Sequence, residues 1–202
     1  MGNLSLSEAE CLLSEASISN PGPWVRHSYY VADAAARLAV HIPGLDPDHV
    51  RSLGLVHDIG RRFGITGMRH IIDGYAFLTQ LGFAEAARIA LTHSFPIKDI
   101  RFSIGVWDCS QEEFAFVETF LEQVTYRLED QLLQLCDALA LPEGFCLLEK
   151  RFIDVTLRYG VSEILPARWR ATMQLQAEFE TMLGASIYRF LPGVVETTFG
   201  FV

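Results

Sequence analysis

Leu53-Gly-Leu-Val-His-Asp-Ile-Gly-Arg61 is the stretch on which the reading of this 202-residue chain turns. An imidazole and a carboxylate, both costly to bury without partners, stand side by side inside an apolar run. The run has helical rather than alternating periodicity, and Gly60 is placed to end it. Adjacent residues on a regular helix diverge by about 100°, so His57 and Asp58 can face one centre only if the helix loosens at its end. Taken alone the pair says little, because a buried His-Asp hydrogen bond between two helices would account for it.

Working outward, the pattern stays helical, and period-2 segments bounded by turn residues are almost missing, so the chain is expected to be all-α. Upstream, the breaker cluster Asn20-Pro-Gly-Pro23 precedes a helix over 24–40, with Val25, Tyr29, Ala32, Ala36 and Ala39 on one face. A Pro-rich loop over 42–48 leads into a helix over 49–59. Downstream, helices are expected over 69–81 and 83–92. An irregular stretch over 97–111 is a candidate lid. A long helix over 112–139, broken near 128–130, comes next, followed by a breaker at Leu141-Pro-Glu-Gly144 and helices over 145–159 and 167–183. The apolar tail from Phe190 to Val202 offers a surface for homodimerisation.

Composition narrows the function classes. Half of the residues are hydrophobic and 20% charged, which excludes disorder. With a net charge of −9, no general field draws in a long nucleic acid. Arg outnumbers Lys 14 to 2, which suits bidentate phosphate contacts. Four cysteines in no CxxC or zinc-ribbon spacing fit a reduced, cytoplasmic setting. The first twenty residues carry Glu8, Glu10 and Glu15 and no basic region, unlike a signal peptide. No apolar run approaches the length of a membrane span, so no membrane partner is expected.

Spacing gives the His-Asp pair its weight. His27 lies within one predicted helix, His57-Asp58 at the end of a second, His70 near the start of a third, His93 at the end of a fourth and Asp137 on another. Separate helices of a bundle can aim such groups at one metal. This ordered set, with His57-Asp-Ile-Gly-Arg61 at its heart, resembles the HD-domain superfamily of metal-dependent phosphohydrolases. The likeness covers residues 24–141 and extends to Gly74, to Thr92-His93-Ser94 and to the stretch Leu133-Gln-Leu-Cys-Asp137. It implies one HD-type domain over 1–202, a helical bundle whose C-terminal helices, 142–202, form an extension of undefined role.

The resemblance further implies that His27, His57, Asp58 and Asp137 hold a first metal, and that Asp58 bridges to a second held with His70 and His93. Two features depart from the usual pattern. The interval from His57 to His70 is short for a dinuclear member, and Arg61 stands where many members have Lys. His70 could instead meet the substrate or sit one layer out, oriented by Asp73. Imidazole and carboxylate ligands without thiolate favour Mn, Fe, Co, Ni or Zn over Mg, one or two ions per chain.

The implied activity is hydrolysis of a phosphate ester or anhydride in a small, nucleotide-like phosphorylated molecule, with water rather than a side chain as nucleophile. Asp58 and Arg61 are the expected catalytic residues at the centre, and Lys98 is expected to reach substrate phosphate. Arg62 is a weaker candidate for the same task. His41 and His49 are read as surface residues, and Trp107, Phe114 and Phe116 as core more readily than as a nucleobase stack. Two other readings stay open: a di-iron oxygenase of the same superfamily, and a non-catalytic regulatory protein stabilised by its metal.

Overall fold

The computed structural model describes residues 2–200. Among them the chain is all-α: ten helices, with a two-residue hairpin as the one sheet. The first helix, α1 (Leu6–Ser19), was not anticipated, although Ser5-Leu-Ser-Glu8 is a capping box. The Ser5 hydroxyl accepts from the Glu8 amide, and the Glu8 carboxylate accepts from the Ser5 amide at 2.9 Å. Ala9, Leu13 and Ala16 form its buried face.

α2 (Pro23–Ala39) and α3 (Pro47–Val56) make the most extensive helix pair. Their close approach needs Gly54, where a Cβ would stand 2.7 Å from the Ala32 Cα. Asp46 starts α3, its carboxylate accepting from the Asp48 amide at 2.9 Å. The helix expected to reach residue 59 ends at Val56. His57 and Asp58 form a turn and a 3-10 segment, Ile59–Phe63, follows. Gly60 therefore does not terminate an α-helix. It is glycine because a Cβ there would run into the His70 carbonyl and stand 2.5 Å from the Gly74 amide, so that this segment can lie against α4 (Arg69–Gln80). The sequence reveals the glycine, but the neighbour that excludes a side chain is remote.

α5 (Ala84–Thr92) packs along α4. The long helix expected over 112–139 is two, α6 (Gln111–Gln123) and α7 (Leu128–Leu139), parted over 124–127, slightly before the expected break. The irregular stretch before α6 holds a single 3-10 turn, Ile100–Phe102. It is not a free lid. The Asp108 carboxylate accepts from the amides of Gly67 (2.7 Å) and Arg69 (2.8 Å), and the Met68 amide donates to the Val106 carbonyl at 2.8 Å.

The breaker at 141–144 is the turn of the hairpin, β1 (Ala140–Leu141) paired with β2 (Gly144–Phe145), Ala140 opposite Phe145. This pairing delays the next helix, so α8 spans Leu148–Tyr159 rather than starting at 145; α9 (Leu165–Leu183) follows. In the apolar tail, α10 (Val194–Phe199) packs on β2, burying Leu191 and Val194. Part of the tail thus covers this chain's own hairpin, and Phe201 and Val202 lie outside the described residues. One apolar core joins α1, α2, α3, α5 and α7 and reaches α9 through Leu175 and Phe179. A smaller one around Ile71, Leu91, Phe95 and Val117 joins α4, α5 and α6. Among the described residues no helix is long and apolar enough to cross a membrane.

Candidate metal centre

The helix ends and faces between these cores converge. His27 projects from α2, His57 and Asp58 from the turn after α3, His70 from the first turn of α4, His93 from the end of α5 and Asp137 from the last turns of α7. The imidazoles run as a chain, with ring centroids 5.3 Å apart for His27 and His57, 4.9 Å for His57 and His93, and 5.6 Å for His93 and His70. The Asp58 Oδ1 lies 3.2 Å from the His70 Nε2 and 3.6 Å from the His93 Nε2, while its Oδ2 lies 3.9 Å from the His57 Nε2. Asp137 stands at the edge, 23% exposed, its Oδ1 accepting from the His27 Nε2 at 2.8 Å and lying 3.8 Å from the His57 Nε2.

Three of the imidazoles are aimed in the same way. The Nδ1 atoms of His57, His70 and His93 donate to the carbonyls three residues before them, Gly54 (2.7 Å), Gly67 (2.6 Å) and Ala90 (3.0 Å). This fixes the tautomer and leaves each Nε2 as a lone pair turned inward, the arrangement that orients ligating histidines. Asp73 has no part in it, since it pairs with Arg69 at 3.5 Å; the role expected for it falls to the Gly67 carbonyl, because His70 sits in the first turn, where that carbonyl is within reach.

Electrostatics keep the ligands in binding form. Burial pushes the His70 pKa down to about 4 and that of His93 to about 3, so both stay neutral, and burial lowers His27 too, against the pull of Asp137. Burial would raise the Asp58 carboxyl, but the Arg61 guanidinium beside it holds it well below the usual carboxylate range. Burial opposes ionisation of Asp137 as well, yet His27 and Arg151 keep its carboxyl low.

A metal fits this donor set. His57 Nε2 and Asp58 Oδ1 are buried and have no hydrogen-bond partner, an arrangement that protein interiors rarely tolerate. Two buried groups bring their donor atoms within 4.8 Å of one another: His27, His57 and Asp58, and separately Asp58, His70 and His93. Asp58 belongs to both. Its Oδ1 faces His70 and His93, while its Oδ2 faces His57 and accepts from the Arg61 Nε.

A family model described as HD domain matches residues 24–141, more than half of the chain. The chain belongs to the HD domain family. This family consists largely of metal-dependent hydrolases, within a metal-dependent phosphohydrolase superfamily, and the clustered His and Asp side chains suit a divalent ion. No curated protein and no solved structure is matched by the chain.

The HD centre forms the floor of a cavity of about 790 Å³, to which His27, Asp58, His70, His93 and Asp137 all contribute. Arg61 lines it too, its Nε donating to the Asp58 Oδ2 at 2.7 Å. Lys98 does not reach it. The exposed Lys98 Nζ donates to the Val124 carbonyl at 3.1 Å, a cation at the end of α6, because the chain turns away after Pro96. Arg62 also points elsewhere, its guanidinium lying 4.3 Å over the Phe77 ring. His41 is exposed, but His49 is largely enclosed, with its Nε2 3.1 Å from the Glu85 Oε2. Trp107 and Phe114 meet edge to face at 4.9 Å beside the smaller core. Lys150, Arg151, Arg158 and Arg168 escaped the sequence reading although they line the cavity. They follow residue 141, and in sequence they look like the solvated charges of amphipathic helices.

Proposed function

We propose that this HD protein hydrolyses a phosphate ester or anhydride in a small phosphorylated molecule, at a centre of two divalent ions that share Asp58. The observation carrying this reading is the membership of Asp58 in both buried ligand groups, with one of its oxygens and the Nε2 of His57 left without a protein partner. His27, His57 and Asp58, with Asp137 beside them, would hold one ion, and Asp58, His70 and His93 the other. Bound there, transition-metal ions such as Mn or Fe supply Lewis acidity toward a phosphoryl oxygen and toward the attacking water.

The remaining work belongs to the chain. The carbonyls of Gly54, Gly67 and Ala90 keep three imidazoles oriented. Arg61 fixes the rotamer of Asp58 through its Nε, places its Nη2 3.4 Å from the His70 Nε2 and lines the cavity, where it would stabilise charge on the phosphoryl group. Arg151 Nη2, 3.7 Å from the Asp137 Oδ1, restrains that carboxylate. No cysteine among the described residues lines the cavity, and burial raises the Cys136 pKa far above neutrality and that of Cys146 to about 11. The net charge of −9 disfavours a long nucleic acid, and a cavity of about 790 Å³ suits a small nucleotide-like ester.

The test is phosphate release from p-nitrophenyl phosphate and a panel of nucleotides by the purified chain reloaded with Mn or Fe. Release that depends on the metal and is lost in Asp58→Ala supports the reading. Oxygen consumption by the iron-loaded chain without phosphate release would replace it with an oxygenase, and tight metal retention without any turnover with a regulatory role.

A further inference from the structure

The cavity has a cationic wall that the ligand cluster does not use. In a chain of net charge −9, five of the sixteen Lys and Arg residues line this one space. Three of them are answered by carboxylates. Arg61 pairs with Asp58 at 2.7 Å, Arg151 lies 3.7 Å from Asp137 and 3.6 Å from Asp154, and Arg158 pairs with Asp154 at 2.6 Å. Lys150 on α8 and Arg168 on α9 have no carboxylate within ion-pair distance among the described residues.

Arg168 is held rather than free. Its Nη1 donates to the carbonyls of Phe102 (2.6 Å) and Ser94 (3.1 Å), which anchors the guanidinium one residue from the ligand His93. Neutral carbonyls orient the group but leave its charge unbalanced, and its Nε and Nη2 donate to no protein acceptor among the described residues. Burial pushes its pKa down to about 10, and Asp137, which lies beyond ion-pair distance, offsets this only in part. A guanidinium fixed in this way presents a fork that matches carboxylate or phosphate oxygens. Lys150 adds an exposed, unpaired ammonium to the same cavity.

We infer that Arg168 and Lys150 form an anion subsite distinct from the His/Asp cluster, so that the preferred substrate carries a second anionic group, carboxylate or phosphate, besides the phosphoryl group that is cleaved. The inference rests on the phosphohydrolase reading for the chemistry at the cluster. The subsite itself is made of protein alone and can be tested by binding.

Calorimetric titration of the metal-free full chain compares phenyl phosphate, with one anionic group, against 2-phosphoglycolate and propane-1,3-diol bisphosphate, with two. Phosphate release from the same three esters is then followed in the metal-loaded chain. Both two-anion compounds should bind about tenfold tighter than phenyl phosphate, the factor that one charge-assisted contact supplies. Lys150→Ala and Arg168→Met should each remove most of that advantage. The ranking of the two compounds identifies carboxylate or phosphate as the second group. Arg168 also ties α9 to the 94–102 segment, so thermal unfolding checks that Arg168→Met is folded, and Lys150→Ala, at an exposed and unpaired site, decides the matter if it is not. Equal affinity for all three compounds, or an advantage that survives Lys150→Ala, overturns the subsite. An intact binding advantage with no phosphate release overturns the phosphohydrolase reading and leaves the subsite standing.

Discussion

The two walls of the cavity are built differently. α3, which leads into the ligand pair, buries six of its ten residues, from Val50 to Val56. α8, which supplies Lys150, Arg151 and Arg158, buries only Leu148 of twelve and leaves Ile153 and Leu157 exposed. A metal site tolerates little error, since donor distances must hold to within a few tenths of an ångström. The candidate ligands sit on elements locked by packing and by close glycine contacts. Anion recognition is more forgiving, because charge acts over a longer range and long side chains adjust. The HD cluster thus occupies the more tightly packed wall, while the proposed anion subsite draws on the more exposed one.

The contrast can be broken at either wall. Asp58→Ala should have the largest effect, because both ligand groups lose their shared member. Elemental analysis should find metal content falling from about two ions per chain to near none, and activity should drop by more than the roughly 10- to 100-fold that loss of an outer hydrogen-bond partner costs. His93→Ala, outside the first group, should leave about one ion; equal loss in the two variants would argue against two separate ligand groups.

Gly60→Ala comes next. Its Cβ meets the backbone of His70 and Gly74, which cannot move independently of α4, so destabilisation of about 1–3 kcal/mol by denaturant unfolding is expected. Metal held with His70 should weaken at the same time, and unchanged stability would show that the rigid wall yields.

Asp108→Asn tests the clamp on the start of α4, at a cost of about 1 kcal/mol, typical of lost capping contacts. Burial raises the Asp108 pKa slightly, but the amides of Arg69 and Gly67 lower it further, and the net shift is downward. A carboxylate depressed in the folded state contributes stability above its unfolded pKa and loses it as pH falls through the folded value. The gap in unfolding temperature between the wild type and this variant should therefore be full at pH 6 and shrink as the pH drops below about 4. A gap independent of pH would mean that charge has no part in the clamp.

Leu157→Ala, at a side chain 81% exposed on the looser wall, should change stability by less than about 0.5 kcal/mol. A larger loss would mean that α8 is packed against something that its exposure conceals.

Much of the candidate metal centre was legible because its chemistry is unusual for its surroundings. Imidazoles and carboxylates within apolar helical runs, such as His57-Asp58 after Leu53-Gly-Leu-Val56, demand a partner wherever they are found. Lys98 was misplaced because its distance along the chain from His93 says nothing about direction, and a turn after Pro96 carries it to the end of α6. Lys150 and Arg168 were overlooked for the opposite reason. A charge on an amphipathic helix looks solvated until the neighbour across the cavity is known.

The sequence by itself determined the helical class, the family and the residue types of the His/Asp cluster, since periodicity, breakers and the order of His and Asp are local properties of the chain. Only the tertiary structure decided that Asp58 lies in both candidate ligand groups, that Gly60 is needed for the approach of α4, and that two cations without a carboxylate partner, from the last third of the chain, line the same cavity. These are contacts between segments far apart in sequence, fixed by how helices pack and by which groups are left without partners when they do.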